Sequence, residues 1–196
     1  MSSVVISGDT SGAITIVAPT TAGTSTLTLP TGASGTIAAQ GVSTNIVRGT
    51  SVAASGASID FTGIPSWVRR VTIVLDVVSQ NTGTSPALLF QLGTSGGIVS
   101  TGYLALGSTN GGSNTLSTTG FTLRGPSGAN ALFSGIFTFV SFGSNTWIHT
   151  SYNVDTTNTQ YSAGGGKLAL GGTLDRVRIV ANGGSFNGGN INILWE

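Results

Sequence analysis

An alternation of apolar and polar side chains between residues 71 and 77 constrains the fold of this chain more than any other feature. The apolar residues at every second position are Val71, Ile73, Leu75 and Val77. Thr72 and Asp76 lie between them. Successive side chains of a β-strand point to opposite faces, so a period of two predicts a strand with one buried face.

Glycine and other turn-forming residues divide the rest of the chain into short apolar segments. The sequence holds 31 glycines among 196 residues, and no segment has the period of an amphipathic helix. We therefore predict an all-β chain, with an antiparallel β-sandwich of the jelly-roll type in residues 48–196. The glycine run at 164–166 predicts a turn, as do the other glycine pairs. The predicted strands are 52–61, 71–78, 87–92, 98–106, 120–123, 131–142, 147–154, 167–174, 175–180 and 191–195.

Residues 1–47 differ in composition from the rest of the chain. They contain no aromatic side chain and one charged residue, Asp9. Three short segments in this block, 4–6, 14–17 and 24–29, have the pattern of strands. Without aromatic rings they bury too little surface to offset an ordering cost of about 1.5 kcal/mol per residue. The block is therefore either a flexible tail or, as the strand pattern favours, an extended N-terminal β-arm that folds on a partner.

Charged side chains are scarce throughout the chain. Seven Lys and Arg against six Asp and Glu give a net charge of +1, and charged residues make up 7% of the sequence. Nucleic-acid affinity depends on many phosphate contacts from basic residues, so we predict no nucleic-acid partner. A surface of nearly zero net charge favours association with copies of the same chain or with a larger assembly. No apolar run reaches the roughly 18 residues of a membrane span and no signal-peptide pattern occurs, so we predict no membrane partner.

Few side chains offer catalytic or metal-binding chemistry. The chain has no cysteine and one histidine, His149, so neither a thiolate zinc site nor a pair of histidine ligands is available. We interpret His149 as an ordinary strand residue rather than a catalytic base. Asp155, with Asn158 in the same loop, is either a cation ligand or a solvated carboxylate, and we favour the solvated carboxylate. The sequence thus predicts no catalytic residue, no metal ion and no cofactor.

Four charged residues are expected to pair across strands. They are Asp60, Asp76, Arg176 and Arg178. We predict that the two carboxylates, which flank the first strong strand, face the two arginines on the closing strands. Opposite charges on neighbouring strands hold the register of a sheet. Two carboxylates about 5–9.5 Å apart would instead suit hydrolysis of a polysaccharide, but we favour the structural role.

Aromatic side chains in the predicted strands have two possible roles. The candidates for stacking on a sugar are Tyr103, Trp147, Tyr152 and Tyr161. A ring in a strand of a small sandwich more often belongs to the core, which is the competing interpretation. The four rings that we assign to the core outright are Phe133, Phe137, Phe139 and Phe142.

Three passages resemble sequences of tailed-bacteriophage virion proteins. Residues 7–40 (SGDTSGAITIVAPTTAGTSTLTLPTGASGTIAAQ) are similar to N-terminal segments that combine a glycine-rich turn, a "TI-AP" strand, "TLTLP" and a "GT" turn. Residues 59–75, which contain GIPSWV followed by arginine, and residues 91–98 (QLGTSGGI) are similar to a widespread phage domain. Residues 173–194 (TLDRVRIVANGGSFNGGNINIL) resemble the closing pair of strands of that domain.

The resemblance implies a homotrimeric structural protein of the virion surface, made in the cytoplasm of a host bacterium. Its N-terminal arm would intertwine with neighbouring subunits and dock on the major capsid protein or another virion protein. The anchoring residues would be Ile14, Ile16, Leu27 and Leu29. Because the chain has no fibre shaft, we predict a non-enzymatic capsid-decorating (cement) protein or a short head fibre. The alternative is a tail-fibre or receptor-binding module for host surface glycans, and a polysaccharide hydrolase is a third hypothesis.

Overall fold

The structure is a computed structural model in which every described element is a β-strand. The chain divides into two compact units, residues 1–43 and 44–196. No helix occurs in the described part of the chain, and the strands pair antiparallel. The described residues are 3–7, 13–17, 46–81, 87–110, 114–124 and 131–196, with 3–7, 13–17 and 124 described as backbone alone.

The first unit contains a two-stranded antiparallel sheet. β1 (Ser3–Ser7) pairs with β2 (Ala13–Val17), so that Ile14 lies opposite Ile6 and Ile16 lies opposite Val4. These two strands agree with the predicted segments 4–6 and 14–17. The third predicted strand of the arm, with Leu27 and Leu29, lies outside the described residues.

The second unit contains two sheets, which together form the β-sandwich. The described strands of the large sheet are β3 (Val47–Arg48), β4 (Val52–Ala53), β6 (Arg70–Gln80), β9 (Leu104–Thr109), β10 (Asn114–Ser117), β12 (Leu132–Gly143), β13 (Thr146–Asp155), β14 (Gln160–Ala169) and β16 (Phe186–Trp195). Those of the small sheet are β5 (Ser58–Thr62), β7 (Ala87–Thr94), β8 (Gly97–Ile98), β11 (Phe121–Arg124) and β15 (Arg176–Asn182). An all-β antiparallel sandwich was predicted and is confirmed.

The two sheets differ in their number of strands. The large sheet runs β10-β9-β14-β13-β12-β6-β16-β3, with β4 also paired to β16. The small sheet runs β11-β7-β15-β5, with β8 paired to β7. Over the described residues the two sheets thus hold nine and five strands. A jelly roll typically has about eight. The described sandwich therefore has more strands than a typical jelly roll, and the jelly-roll topology stays a prediction.

The core lies between the two sheets and is built largely from aromatic rings. Phe90 of β7 stacks on Phe137 of β12, with ring centroids 4.2 Å apart. Tyr103 is fully buried and packs edge-on against Phe121. Its hydroxyl accepts a hydrogen bond from the Leu92 amide, and burial raises the pKa of Tyr103 to about 12. Tyr103 is therefore a core residue rather than a sugar platform.

The glycines at 164–166 lie inside strand β14, so the predicted turn there is wrong. A Cβ atom at Gly166 would overlap the carbonyl oxygen of Leu104 on the neighbouring strand. At Gly164 it would approach Ser151 Oγ to 2.9 Å and the Thr122 carbonyl oxygen to 3.1 Å. These glycines permit close packing of strands rather than a reversal of the chain.

Phe142 is a second difference from the prediction. Phe133, Phe137 and Phe139 are fully buried as expected, but Phe142 is 81% exposed. It lies where the register between β12 and β13 shifts, between Ser141 and Gly143. Phe142 is three positions after the buried Phe139, so the alternation along β12 places its ring on the opposite, exposed side with Val140.

Val77 was predicted to share the buried side of its strand with Leu75, but the alternation breaks there because Val77 adopts a left-handed backbone conformation, with φ of 52°. The pairing of β6 with β12 shifts register beside it, and its amide donates to Ser134 Oγ. A β-branched residue in this conformation costs about 1–2 kcal/mol, and Val77 is 45% exposed, so its side chain contributes little burial. We expect Val77→Gly to raise the free energy of unfolding by about 0.5 kcal/mol in urea titrations, because relief of the strain exceeds the entropic cost of glycine. The control Val74→Gly, in the same strand, should lower it by about 1 kcal/mol, and equal losses in both variants would contradict this account.

Candidate functional site

Asp60 and Arg178 form the predicted cross-strand ion pair. They lie opposite each other on β5 and β15, and the guanidinium donates from Nε and Nη2 to the two carboxylate oxygens, each at 2.6 Å. These hydrogen bonds, with the positive charge of Arg178, hold the pKa of Asp60 below its usual value. The two side chains are 37% and 38% exposed, so the pair contributes at most about 1 kcal/mol. It acts as a register contact of the small sheet.

The other two predicted charge partners lie elsewhere. The Arg176 guanidinium binds the carboxylate of its neighbour Asp175, with Nη2 2.7 Å from Oδ2. Asp76 belongs to the large sheet, where it lies opposite Asn190 of β16. The prediction that Asp76 faces the two arginines is wrong, because its strand is in the other sheet. Asp60 and Asp76 therefore do not form the carboxylate pair that a glycoside hydrolase needs.

His149 lies in the core, in contact with rings from both sheets. It is 3% exposed, and its pKa is lowered to about 4 because burial disfavours the charged imidazolium. Nδ1 is 3.3 Å from the Thr138 carbonyl oxygen and Nε2 is 3.2 Å from Ser151 Oγ. A neutral tautomer that donates from Nδ1 and accepts at Nε2 satisfies both contacts. The surrounding rings are Phe90, Phe121, Phe137 and Phe139.

Asp155 stabilises the turn that follows β13. Its Oδ1 accepts hydrogen bonds from the backbone amides of Leu132 and Thr157, at 3.2 and 3.0 Å. Its Oδ2 accepts one from the Asn158 side-chain amide, at 2.6 Å. The residue is 1% exposed. Asp155 is therefore a buried, hydrogen-bonded turn residue, and the prediction of a solvated carboxylate is wrong.

Two of the rings proposed for sugar stacking are accessible. Trp147 is 3% exposed, so its ring faces are covered by the core and the sequence-based assignment to a glycan contact is wrong. Tyr152 and Tyr161 are 55% and 48% exposed. Their rings stack on each other with centroids 5.8 Å apart and an interplanar angle of 23°. They lie on β13 and β14, on the side of the large sheet that faces away from the core.

That side of the large sheet carries an apolar surface, which we call the outer apolar face. It extends over the five neighbouring strands β10, β9, β14, β13 and β12. Its large side chains are between 37% and 83% exposed. They are Leu104, Leu106, Leu116, Ile136, Val140, Ile148, Tyr152, Val154 and Tyr161. Lys167 is the one exposed charged side chain that these five strands carry within the described residues.

Strand β13 places its more apolar side on this exposed surface. Its outward residues are Ile148, Thr150, Tyr152 and Val154. Its inward residues are Trp147, His149, Ser151, Asn153 and Asp155. Neither side-chain amide atom of Asn153 has a hydrogen-bond partner among the described residues. A strand covered on one face alone normally has the reverse arrangement, so β13 has the pattern of a strand that is covered on both faces.

Two surface clefts in the described unit lack a catalytic arrangement. One, of about 300 Å³, lies beside the β12–β13 hairpin and is lined by Arg69, Asn145 and several hydroxyl residues. The other, of about 440 Å³, is lined by Arg48, Asp76 and Asn190, among others. Neither brings together two carboxylates or a histidine with a nucleophile. The described residues also contain no group of three or more His, Cys, Asp or Glu side chains that could hold a metal ion.

Comparisons with known proteins identify no relative of this chain. No protein-family model, curated protein or solved structure matches this chain. Among the described residues there is no helix of the length and apolarity that crossing a membrane requires.

Proposed function

We propose that this chain is a non-enzymatic structural protein of a bacteriophage virion. It is displayed on the particle as a homotrimeric capsid-decorating (cement) or short head-fibre protein and docks through its N-terminal residues. The division of the chain carries this proposal. The described hydrophobic core lies wholly between Ala54 and Ile193, within the unit 44–196, and residues 1–43 form a separate unit. A domain with its own core and a separate N-terminal segment suits a surface protein that docks through that segment.

Two further observations support the structural role. The resemblance of residues 7–40 to N-terminal segments of virion proteins supports docking through this part of the chain. The low charge of the sequence and the outer apolar face both favour a protein that is surrounded by other subunits. The partner on the particle is the major capsid protein or another virion protein.

Deletion of residues 1–43 tests the docking model. We expect the truncated chain to keep its β-sheet circular dichroism spectrum and a cooperative unfolding transition, because its core is intact. We expect it to be lost from purified virions, as measured by quantitative immunoblotting against the full-length protein. A full-length control in which residues 1–43 are replaced by a glycine–serine segment of equal length should also be lost. Undiminished incorporation of the truncated chain would refute docking through this segment.

Recognition of host glycans is the second candidate function, and the stacked Tyr152–Tyr161 pair favours it. Exposed tyrosine rings give flat, apolar surfaces on which sugars stack. Binding of the full-length protein to an array of bacterial surface glycans would reveal such a function. Tyr152→Ala and Tyr161→Ala should then abolish the signal, whereas Phe142→Ala, at an exposed ring outside this pair, should retain it. No binding to any glycan would leave the structural role alone.

A further inference from the structure

We propose that the outer apolar face is the surface through which copies of this chain bind one another. This inference rests on the self-association in the proposed function and adds a face-to-face contact between two copies, which would join subunits of different trimers because a contact between identical faces has twofold symmetry. The outer apolar face would bind a second copy of the chain rather than residues 1–43 or a different virion protein. Area, charge, shape and the pattern of β13 each bear on this choice.

The face is large enough for a stable contact. Five strands spaced about 4.8 Å apart, over roughly 25 Å of strand length, give about 600 Å² of surface per copy. Monomeric proteins rarely expose a contiguous apolar patch larger than a few hundred Å². Two such faces would bury roughly 1,200 Å², which reaches the lower limit of specific protein–protein interfaces.

The charge of the face suits a second copy better than a charged partner. Within the described residues its five strands carry one exposed charge, Lys167, beside Ile148 in register. Two copies can therefore approach with little like-charge repulsion. A strongly charged partner would have to bury charges here without counter-charges, which is unfavourable. Arg70, on the next strand β6, is already paired with Glu196.

The face combines large and small outward side chains on neighbouring strands. Ala163 and Gly165 of β14 have small or no side chains, so they leave a short furrow between the outward Tyr161 and Lys167 of the same strand. In register, Gly165 lies between Leu106 of β9 and Thr150 of β13. The leucines on β9 and β10 form a ridge beside this furrow: Leu104, Leu106 and Leu116. A ridge from one copy can therefore enter the furrow of another, and both elements come from the same surface.

Strand β13 supplies an independent reason to expect coverage. Its buried side includes His149, Ser151, Asn153 and Asp155, whereas its exposed side includes Ile148, Tyr152 and Val154. Exposure of the apolar side to water while the polar side is buried is unfavourable for an isolated sandwich. Burial of the outer side against another copy removes this penalty without any change of strand register.

The test measures the solution mass of full-length variants by light scattering across protein concentrations. The wild type is expected to have a multiple of the 19.5 kDa chain mass. Leu106→Glu, in the ridge, should weaken association by at least about 100-fold, because a carboxylate would have to be desolvated in the contact. Ile148→Thr should weaken it less and keeps strand propensity. Trp67→Glu, at a 50% exposed ring in the loop before β6, is the matched control and should associate as the wild type does.

Each outcome either supports or overturns the proposed interface. Loss of association in Leu106→Glu and weakening in Ile148→Thr, with unchanged unfolding transitions and an unaffected Trp67→Glu, would support the interface. If Leu106→Glu fails to fold, Ile148→Thr alone decides. A wild type that associates while both face variants associate equally well would overturn this inference and leave the proposed homotrimer standing. A wild type that is monomeric at all concentrations would overturn the self-association itself, and with it the interface, but not docking through residues 1–43.

Discussion

Acidification from pH 6.5 to pH 4 is expected to lower the free energy of unfolding by about 3 kcal/mol through His149 alone. The folded protein holds this imidazole neutral because it is buried among phenylalanine rings, so its pKa falls from 6.5 to about 4. The unfolded chain has the ordinary pKa and binds a proton first as the pH falls. The full stability is therefore present above about pH 6.5, decreases towards pH 4, and changes no further from this group below that pH.

Urea unfolding at several pH values between 7 and 4 measures this effect. The control is His149→Leu, which replaces the imidazole with an apolar side chain of similar volume that has no titratable group. The difference between wild type and His149→Leu should shrink or reverse as the pH falls through this range. Asp60, whose pKa is lowered by its hydrogen bonds to Arg178, does not contribute to the difference because it is present in both proteins. Parallel pH profiles for the two proteins would contradict this account, because they would mean that the pKa of His149 is the same in the folded and unfolded states.

Removal of the Phe137 ring is expected to lower the free energy of unfolding by about 4 kcal/mol. Phe137 is fully buried, stacks on Phe90 across the two sheets and packs against His149. Phe137→Ala would leave a cavity at the centre of the sandwich, because the rings around it belong to strands that hydrogen bonding holds in place.

The same strand offers a matched control for this substitution. Phe142→Ala removes the same atoms from a ring that is 81% exposed, and it should change the free energy of unfolding by less than about 1 kcal/mol. Urea titrations of the two variants at one pH make the comparison. Similar losses in both would mean that Phe142 is buried in solution, or that the core near Phe137 collapses to fill the space.

Local patterns identified the strands with the longest alternation. The segment 71–78 corresponds to β6 (Arg70–Gln80), and 147–154 corresponds to β13 (Thr146–Asp155). A period of two is a property of a single strand, so it is visible without any neighbour. The ion pair of Asp60 with Arg178 was also predictable, because both residues lie in segments with strong strand patterns and carry opposite charges.

The outer apolar face is less predictable from the sequence, because it depends on which side of each strand faces the core. The alternation in residues 148–154 groups Ile148, Tyr152 and Val154 on one face but does not state whether this face is inward. By apolarity alone it would be assigned to the core, whereas the structure places it outside. Leu104, Leu106 and Leu116 join it because β9, β14 and β13 are neighbours in the sheet, which is a matter of pairing between distant segments.

The sequence by itself determined the class of this protein. The short alternating segments and the frequent glycines exclude a helical fold, and the scarcity of charged and metal-binding side chains limits its chemistry. The tertiary structure alone decided which face of each strand is buried, that residues 164–166 continue a strand, and that Asp76 and Arg178 lie in different sheets. The physical reason is that alternation is set within one strand, whereas burial is set by the strands that pack against it, and these are far apart along the chain.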